Sequence, residues 1–130
     1  MAKIYRHRNN APDSYVGKID PSNGRVYSEQ FGPDVYVGRV DYAKGEVHAH
    51  QTGPDKYMGR VDEKQRIYAH QFGPDDYVAS VENDGKIYRH VRLGRDTYLG
   101  RVEDMRHPVE AAAAWFFFLA PALDEPDEAV

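Results

Sequence analysis

Lys3-Ile4-Tyr5-Arg6-His7 recurs as Lys86-Ile87-Tyr88-Arg89-His90, and Tyr15-Val16-Gly17-Lys18-Ile19-Asp20 recurs as Tyr98-Leu99-Gly100-Arg101-Val102-Glu103. The repetitive part therefore opens with one kind of segment and closes with the other. Between these ends the pattern returns every 20 to 22 residues, in five units: 3–24, 25–45, 46–65, 66–85 and 86–105. A fixed period of this length means a repeat architecture. Each unit holds a B segment, beginning at Lys3, Arg25, Glu46, Arg66 or Lys86. It also holds an A segment, Tyr15–Asp20, Tyr36–Asp41, Tyr57–Asp62, Tyr77–Glu82 or Tyr98–Glu103. Both kinds are about six residues long, rich in Val, Ile and Tyr, and bounded by Gly, Pro, Asn and Asp, which predicts ten short strands.

The turns set the topology. B-to-A turns such as Phe31-Gly32-Pro33-Asp34, Thr52-Gly53-Pro54-Asp55 and Phe72-Gly73-Pro74-Asp75 combine a φ preset by Pro with an Asp able to cap turn amides. A-to-B turns such as Ser22-Asn23-Gly24 and Asn83-Asp84-Gly85 are tight hairpin signals. Connections this short favour an antiparallel up-and-down meander. An open meander exposes two raw edges. The offset ends of the repeat offer a remedy, because the first B strand can pair with the last A strand. The expected fold is all-β: five hairpins closing into a pseudo-five-fold ring or a ten-stranded barrel, followed by a short apolar helix.

Alternation then assigns faces. Tyr15, Gly17, Ile19 and their equivalents share one face, expected to point inward. Val16, Lys18 and Asp20 share the other. If residue 19 pairs with 26, Tyr27 lies outside, across from Lys18, as a cation–aromatic pair. Gly17, Gly38, Gly59 and Gly100 recur at the middle of the expected inner face, with Ala79 in the fourth unit. Small residues inside strands signal close approach or a sharp bend.

The fivefold Tyr-Val-Gly-Arg-Val-Asp and Gly-x-Val-Tyr elements resemble the bacterial beta-flower repeat proteins, four- or five-fold rings of hairpins. The resemblance covers roughly residues 3–105 and brings no catalytic residues with it. The Tyr-x-Gly pattern also looks slightly like MORN repeats, without their Gly-x-Gly spacing.

After the repeat domain (1–105), residues 106–123 contain Pro108-Val109-Glu110, four alanines, and Trp115-Phe116-Phe117-Phe118-Leu119. Pro in the first turn, Ala after it and Pro121 beyond predict a helix ending at Pro121. It is apolar all round, so it must be buried. Three burials compete: covering or plugging its own ring, packing on another subunit, or touching a membrane. The first is favoured. Trp115 to Leu119 are the candidate interface for the second. The helix is too short to span a bilayer, which needs about 20 residues, and no basic face accompanies it, so a membrane role is disfavoured. Residues 124–130 form an acidic tail, expected to be disordered.

Charge and composition narrow the function. The net charge of −4 comes from Asp124, Glu125, Asp127 and Glu128; before them 17 acids balance 17 bases. No basic footprint argues for nucleic acid. The absence of Cys and of an apolar leader fits a cytoplasmic protein. His7, His50, His70 and His90 occupy one repeat position, with Glu29 in the remaining unit, and His48 adds a His-x-His with His50. These are candidate metal ligands. The face assignment, however, turns them outward, where the units diverge. Tyr15, Tyr36, Tyr57, Tyr77 and Tyr98 are a candidate ligand-binding column. Asp13, Asp34, Asp55, Asp75 and Asp96 recur in every unit and suit the turns or a rim site. No nucleophile motif or phosphate loop is present, so no catalytic residue and no cofactor is assigned. The expected function is a non-enzymatic binding or structural interaction module, its partner an unknown protein or a second copy. The alternative is a small-molecule or metal carrier. A non-repeated site belongs where the repeat departs from itself: Arg6, Glu29, Ala79, Ser80 and Arg89.

Overall fold

The computed structural model describes residues 1–29 and 32–123. Ten strands form one closed, antiparallel barrel. The B segments are β1 (Ala2–Arg6), β3 (Arg25–Ser28), β5 (Glu46–Ala49), β7 (Arg66–Ala69) and β9 (Lys86–Arg89). The A segments are β2 (Ser14–Ile19), β4 (Val35–Asp41), β6 (Lys56–Val61), β8 (Asp76–Val81) and β10 (Thr97–Glu103). Each strand pairs with its sequence neighbours. The ring closes where β1 meets β10, with Ile4 opposite Val102 and Arg6 opposite Gly100. The offset ends of the repeat thus remove both sheet edges.

The hairpin register follows the turns as expected: Ile19 lies opposite Val26 and Lys18 opposite Tyr27. The pairing of each B strand with the next A strand holds a surprise. Val26 faces Gly38 while Tyr27 faces Tyr36, which leaves Val37 as an extra residue. The same bulge recurs at Val16, Met58, Val78 and Leu99, once per hairpin. A bulge places one more residue on its strand than on the partner, and side chains beyond it swap faces. The tyrosines of the A segments therefore point outward, contrary to the strict alternation. Val16, expected outside, is buried, and its four equivalents pack against the core.

The C-terminal helix runs through the lumen. Its first part, α1 (Pro108–Ala114), passes without a break into a π-helical segment, Trp115–Leu119, and a last α-helical turn, Ala120–Leu123. It does not end at Pro121. The wide turns just before this proline move the carbonyl that its ring would strike in a tight α-helix. Ala111 to Ala114 are wholly buried, and α1 packs against β4, β5, β6 and β10. Small helix residues thus lie among a ring of Val and Ile. Further along, the pattern inverts. A Cβ placed on Gly59, Gly38, Gly17 or Gly100 would strike Phe116, Phe117, Phe118 or Leu119, respectively. Large helix residues lie on wall positions that have no side chain.

That correspondence is cyclic. One step along the helix moves one hairpin back around the ring. Trp115 falls to the fourth hairpin, where it lies beside Val78 and where Ala79 replaces the glycine. An α-helix turns once in 3.6 residues and would overstep a five-fold wall. The π segment, with the Ala120 N–H donating to the Trp115 carbonyl, turns more slowly. It gives one side chain to each hairpin.

The helix starts at a capped end. His107 accepts a hydrogen bond from the Val109 N–H at 2.9 Å. Glu110, wholly buried, accepts from the Arg106 N–H at 2.7 Å, the His107 N–H at 3.3 Å and the Tyr42 hydroxyl at 2.7 Å. A buried carboxylate is tolerable when its lone pairs are filled in this way. Among the described residues no helix is long and apolar enough to cross a membrane.

Candidate functional site

The two rims differ. The A-to-B turns surround the entry of the helix. The B-to-A turns surround its exit, and His7, His50, His70 and His90, the repeated aspartates and the open clefts lie there.

On the outer wall near the exit rim, one constellation is laid down around the ring. Tyr36 packs on His50 with centroids 4.7 Å apart, His50 Nδ1 lies 3.7 Å from Asp55, and Arg39 Nε donates to Asp55 at 3.1 Å. Tyr57, His70, Asp75 and Arg60 repeat it. Tyr98, His7, Asp13 and Arg101 repeat it across the closure of the barrel, with His7 Nδ1 3.1 Å from Asp13 and the Tyr98 hydroxyl donating to Asp13 at 3.2 Å. Glu29 replaces histidine once: it accepts a short hydrogen bond from Tyr15 and pairs with Lys18 at 2.7 Å, and Lys18 also reaches Asp34 at 2.8 Å.

Environment tunes several of these groups. Burial raises the Asp13 pKa, but His7 and Tyr98 outweigh it and hold the carboxyl below its usual range. Lys18 holds Asp34 low through its hydrogen bond and charge. Burial first, then the Glu29 carboxylate, pushes the Tyr15 hydroxyl up to about 12.

The candidate metal ligands do not converge. His7, His50, His70 and His90 each face the aspartate of their own turn. His48 lies 3.5 Å from Glu46 and packs on Tyr57, whereas His50 packs on Tyr36. Among the described residues no three His, Asp or Glu side chains are placed to hold one ion. The tyrosine column lies outside the lumen, in contact with the histidines and with Tyr5, Tyr27, Tyr68 and Tyr88. Trp115 to Leu119, the candidate interface, are turned into the chain's own lumen. The acidic tail lies outside the described residues.

The constellation breaks at the fourth seam. Ser80 stands where the other A strands carry Arg or Lys, and Asp96 accepts from the Val91 N–H at 3.0 Å instead. Tyr77 and His90 stack face to face there, 4.0 Å apart at 16°, whereas the corresponding Tyr–His pairs of the other seams are tilted. Above this seam lies a cleft of about 540 Å³. Arg89, Arg92, His90 and Asp76 supply its polar lining, while Val78, Trp115, Ala120 and Leu123 supply the apolar part. A second cleft of about 340 Å³ adjoins it and shares Val78, Trp115 and Ala120.

Two loops bound this sector, and their tips are fully exposed: Phe72 and Leu93. Leu93 also holds a positive φ of 64°. At the same place the other hairpins carry Gly32, Gly53, Gly73 or Asn10, residue types suited to that backbone. The departures at Ser80 and Arg89 were visible in the sequence as breaks in the repeat. Trp115 and Arg92 were not, because their nearness depends on the helix passing through the barrel. Comparison with known proteins finds no matching family model, curated protein or solved structure.

Proposed function

We propose that this protein is a non-enzymatic interaction module whose working face is the rim where the C-terminal helix leaves the barrel. One observation carries the reading: the lumen is filled by the chain's own helix, while the exit rim holds the two most exposed large apolar side chains among the described residues, Phe72 and Leu93. Binding residues concentrate on loops held by a rigid scaffold. Apolar tips grouped beside a cleft mark an interaction surface more than scattered ones do. The histidines and aspartates of the belt pair with each other in repeated geometry, with no differentiated nucleophile among them, which supports a binding role over catalysis. A cytoplasmic location accords with the lack of cysteine.

The alternative of a carrier using the lumen or the repeated histidines is less favoured, because the helix occupies the first and each histidine faces its own carboxylate. Photo-crosslinking tests the reading. A crosslinking residue at position 72 or 93 is expected to capture a defined partner in cells, or a second copy of the chain. The same residue at position 23 or 63, on the opposite rim, is expected to capture neither. Equal capture from both rims, or none from either, overturns it.

A further inference from the structure

We propose that the cleft above the fourth seam binds a small anionic amphiphile, its carboxylate or sulfonate on Arg89 and Arg92 and its aromatic or short aliphatic body against Trp115. The proposal rests on the exit rim being the working face and names what part of that face takes up.

Size is the first argument. A volume of about 540 Å³ falls within the range of small-molecule sites, roughly 300–1,000 Å³. Charge is the second. Arg39, Arg60 and Arg101 are each engaged by an aspartate. Arg89 and Arg92 make no ion pair among the described residues, and both line the cleft. Guanidinium groups suit carboxylates and sulfonates because their N–H donors are held in a planar fork. Asp76 is the one carboxylate on the lining, set against two guanidiniums and His90.

The repeat supplies the third argument. Ser28, Ala49 and Ala69 occupy the place of Arg89 in three other hairpins, so the strand does not need a cation there. Ser80 removes the basic side chain that closes over the equivalent seam elsewhere. Asp96 is satisfied by a backbone N–H, which leaves the two arginines to the cleft. The stacked Tyr77–His90 pair offers a flat wall, and Val78, Ala120 and Leu123 offer an apolar bed. These features occur together only here among the described residues.

Trp115 is the only tryptophan in the chain, so its fluorescence reports this cleft directly. The probe is 8-anilinonaphthalene-1-sulfonate, an anion with an aromatic body. Titration into the folded full-length protein is expected to quench Trp115 saturably at one site per chain, with energy transfer to the probe. The double variant Arg89→Gln/Arg92→Gln, with an unchanged melting curve, is expected to bind about tenfold more weakly or worse. Uncharged N-phenyl-1-naphthylamine is expected to bind the wild type about tenfold more weakly than the anion.

A second chain, with Asp124, Glu125, Asp127 and Glu128 changed to their amides, removes the acids that directly follow Leu123 as competitors for the arginines. Absence of saturable quenching in both chains overturns the proposal. So does an affinity that the arginine substitutions leave unchanged, or an uncharged probe that binds as well as the anion. The crosslinks from positions 72 and 93 use none of these residues, so the rim reading stands or falls separately.

Discussion

The Cζ of Phe118 lies 2.5 Å from the point where a Cβ on Gly17 would stand. The Tyr27 carbonyl oxygen lies 2.6 Å from that same point. The glycine is thus held from two sides, by the lumen helix and by the neighbouring strand.

Gly17→Ala and Gly38→Ala are each expected to cost about 2–3 kcal/mol, the upper part of the range for overpacking a filled core. Urea unfolding measures it. Ala79→Gly at the equivalent place removes a tolerated methyl and is expected to cost only about 1 kcal/mol. Similar losses at all three positions would mean that helix contact is not what selects glycine.

Glu110 ties the start of the helix to the barrel wall through Tyr42. Glu110→Ala leaves the Tyr42 hydroxyl and the Arg106 and His107 N–H groups without their acceptor at a half-buried site and is expected to cost about 2–3 kcal/mol. Tyr42→Phe removes a single donor and is expected to cost about 1–2 kcal/mol. Thermal unfolding followed at Trp115 and by far-ultraviolet circular dichroism compares the two variants. Because the helix forms the core, both signals are expected to change in one transition.

The outer belt is extensive but solvated. Arg39→Gln and Asp55→Asn are each expected to change stability by less than about 1 kcal/mol, as exposed ion pairs generally do. Denaturant midpoints check this, and a larger loss would give the belt a structural weight that its exposure does not suggest.

Acid acts through a few turn carboxylates. Burial opposes the charge on Asp62, yet the N–H groups of Arg66 and Lys64 outweigh it and hold its pKa below 3.8. A carboxyl lowered on folding contributes stability above its unfolded pKa and loses it as pH falls through its folded pKa. Stability is therefore expected to be level near neutrality and to decline below about pH 4. Asp62→Asn should flatten part of that decline. An unchanged acid limb in this variant would remove Asp62 from the account.

Much of the architecture was legible because local chemistry decided it. Gly24 and Gly45 take the positive φ that their hairpins require, and the offset repeat ends named the strands that close the ring. The facing of the tyrosines was not legible from alternation, because one extra residue per hairpin reverses it. A signal was nonetheless present: Val16, Val37, Met58, Val78 and Leu99 are all apolar at a place that strict alternation assigns to water. The π winding was not legible for a different reason. Helix propensity is read along a segment, whereas this winding is imposed by five walls around it. The cleft depends on both features, so the sequence singles out its Tyr77, Arg89, His90 and Trp115 one by one without showing that they meet.

The ring closes through its first and last strands, and the residues that fill it follow the last strand in sequence. During synthesis, then, four hairpins and more leave the ribosome with neither an edge partner for β1 nor a core. An early closure would enclose a hole the width of a helix. The nascent chain must stay uncommitted until its final aromatic residues arrive, which places the burden of avoiding premature strand pairing on the growing sheet.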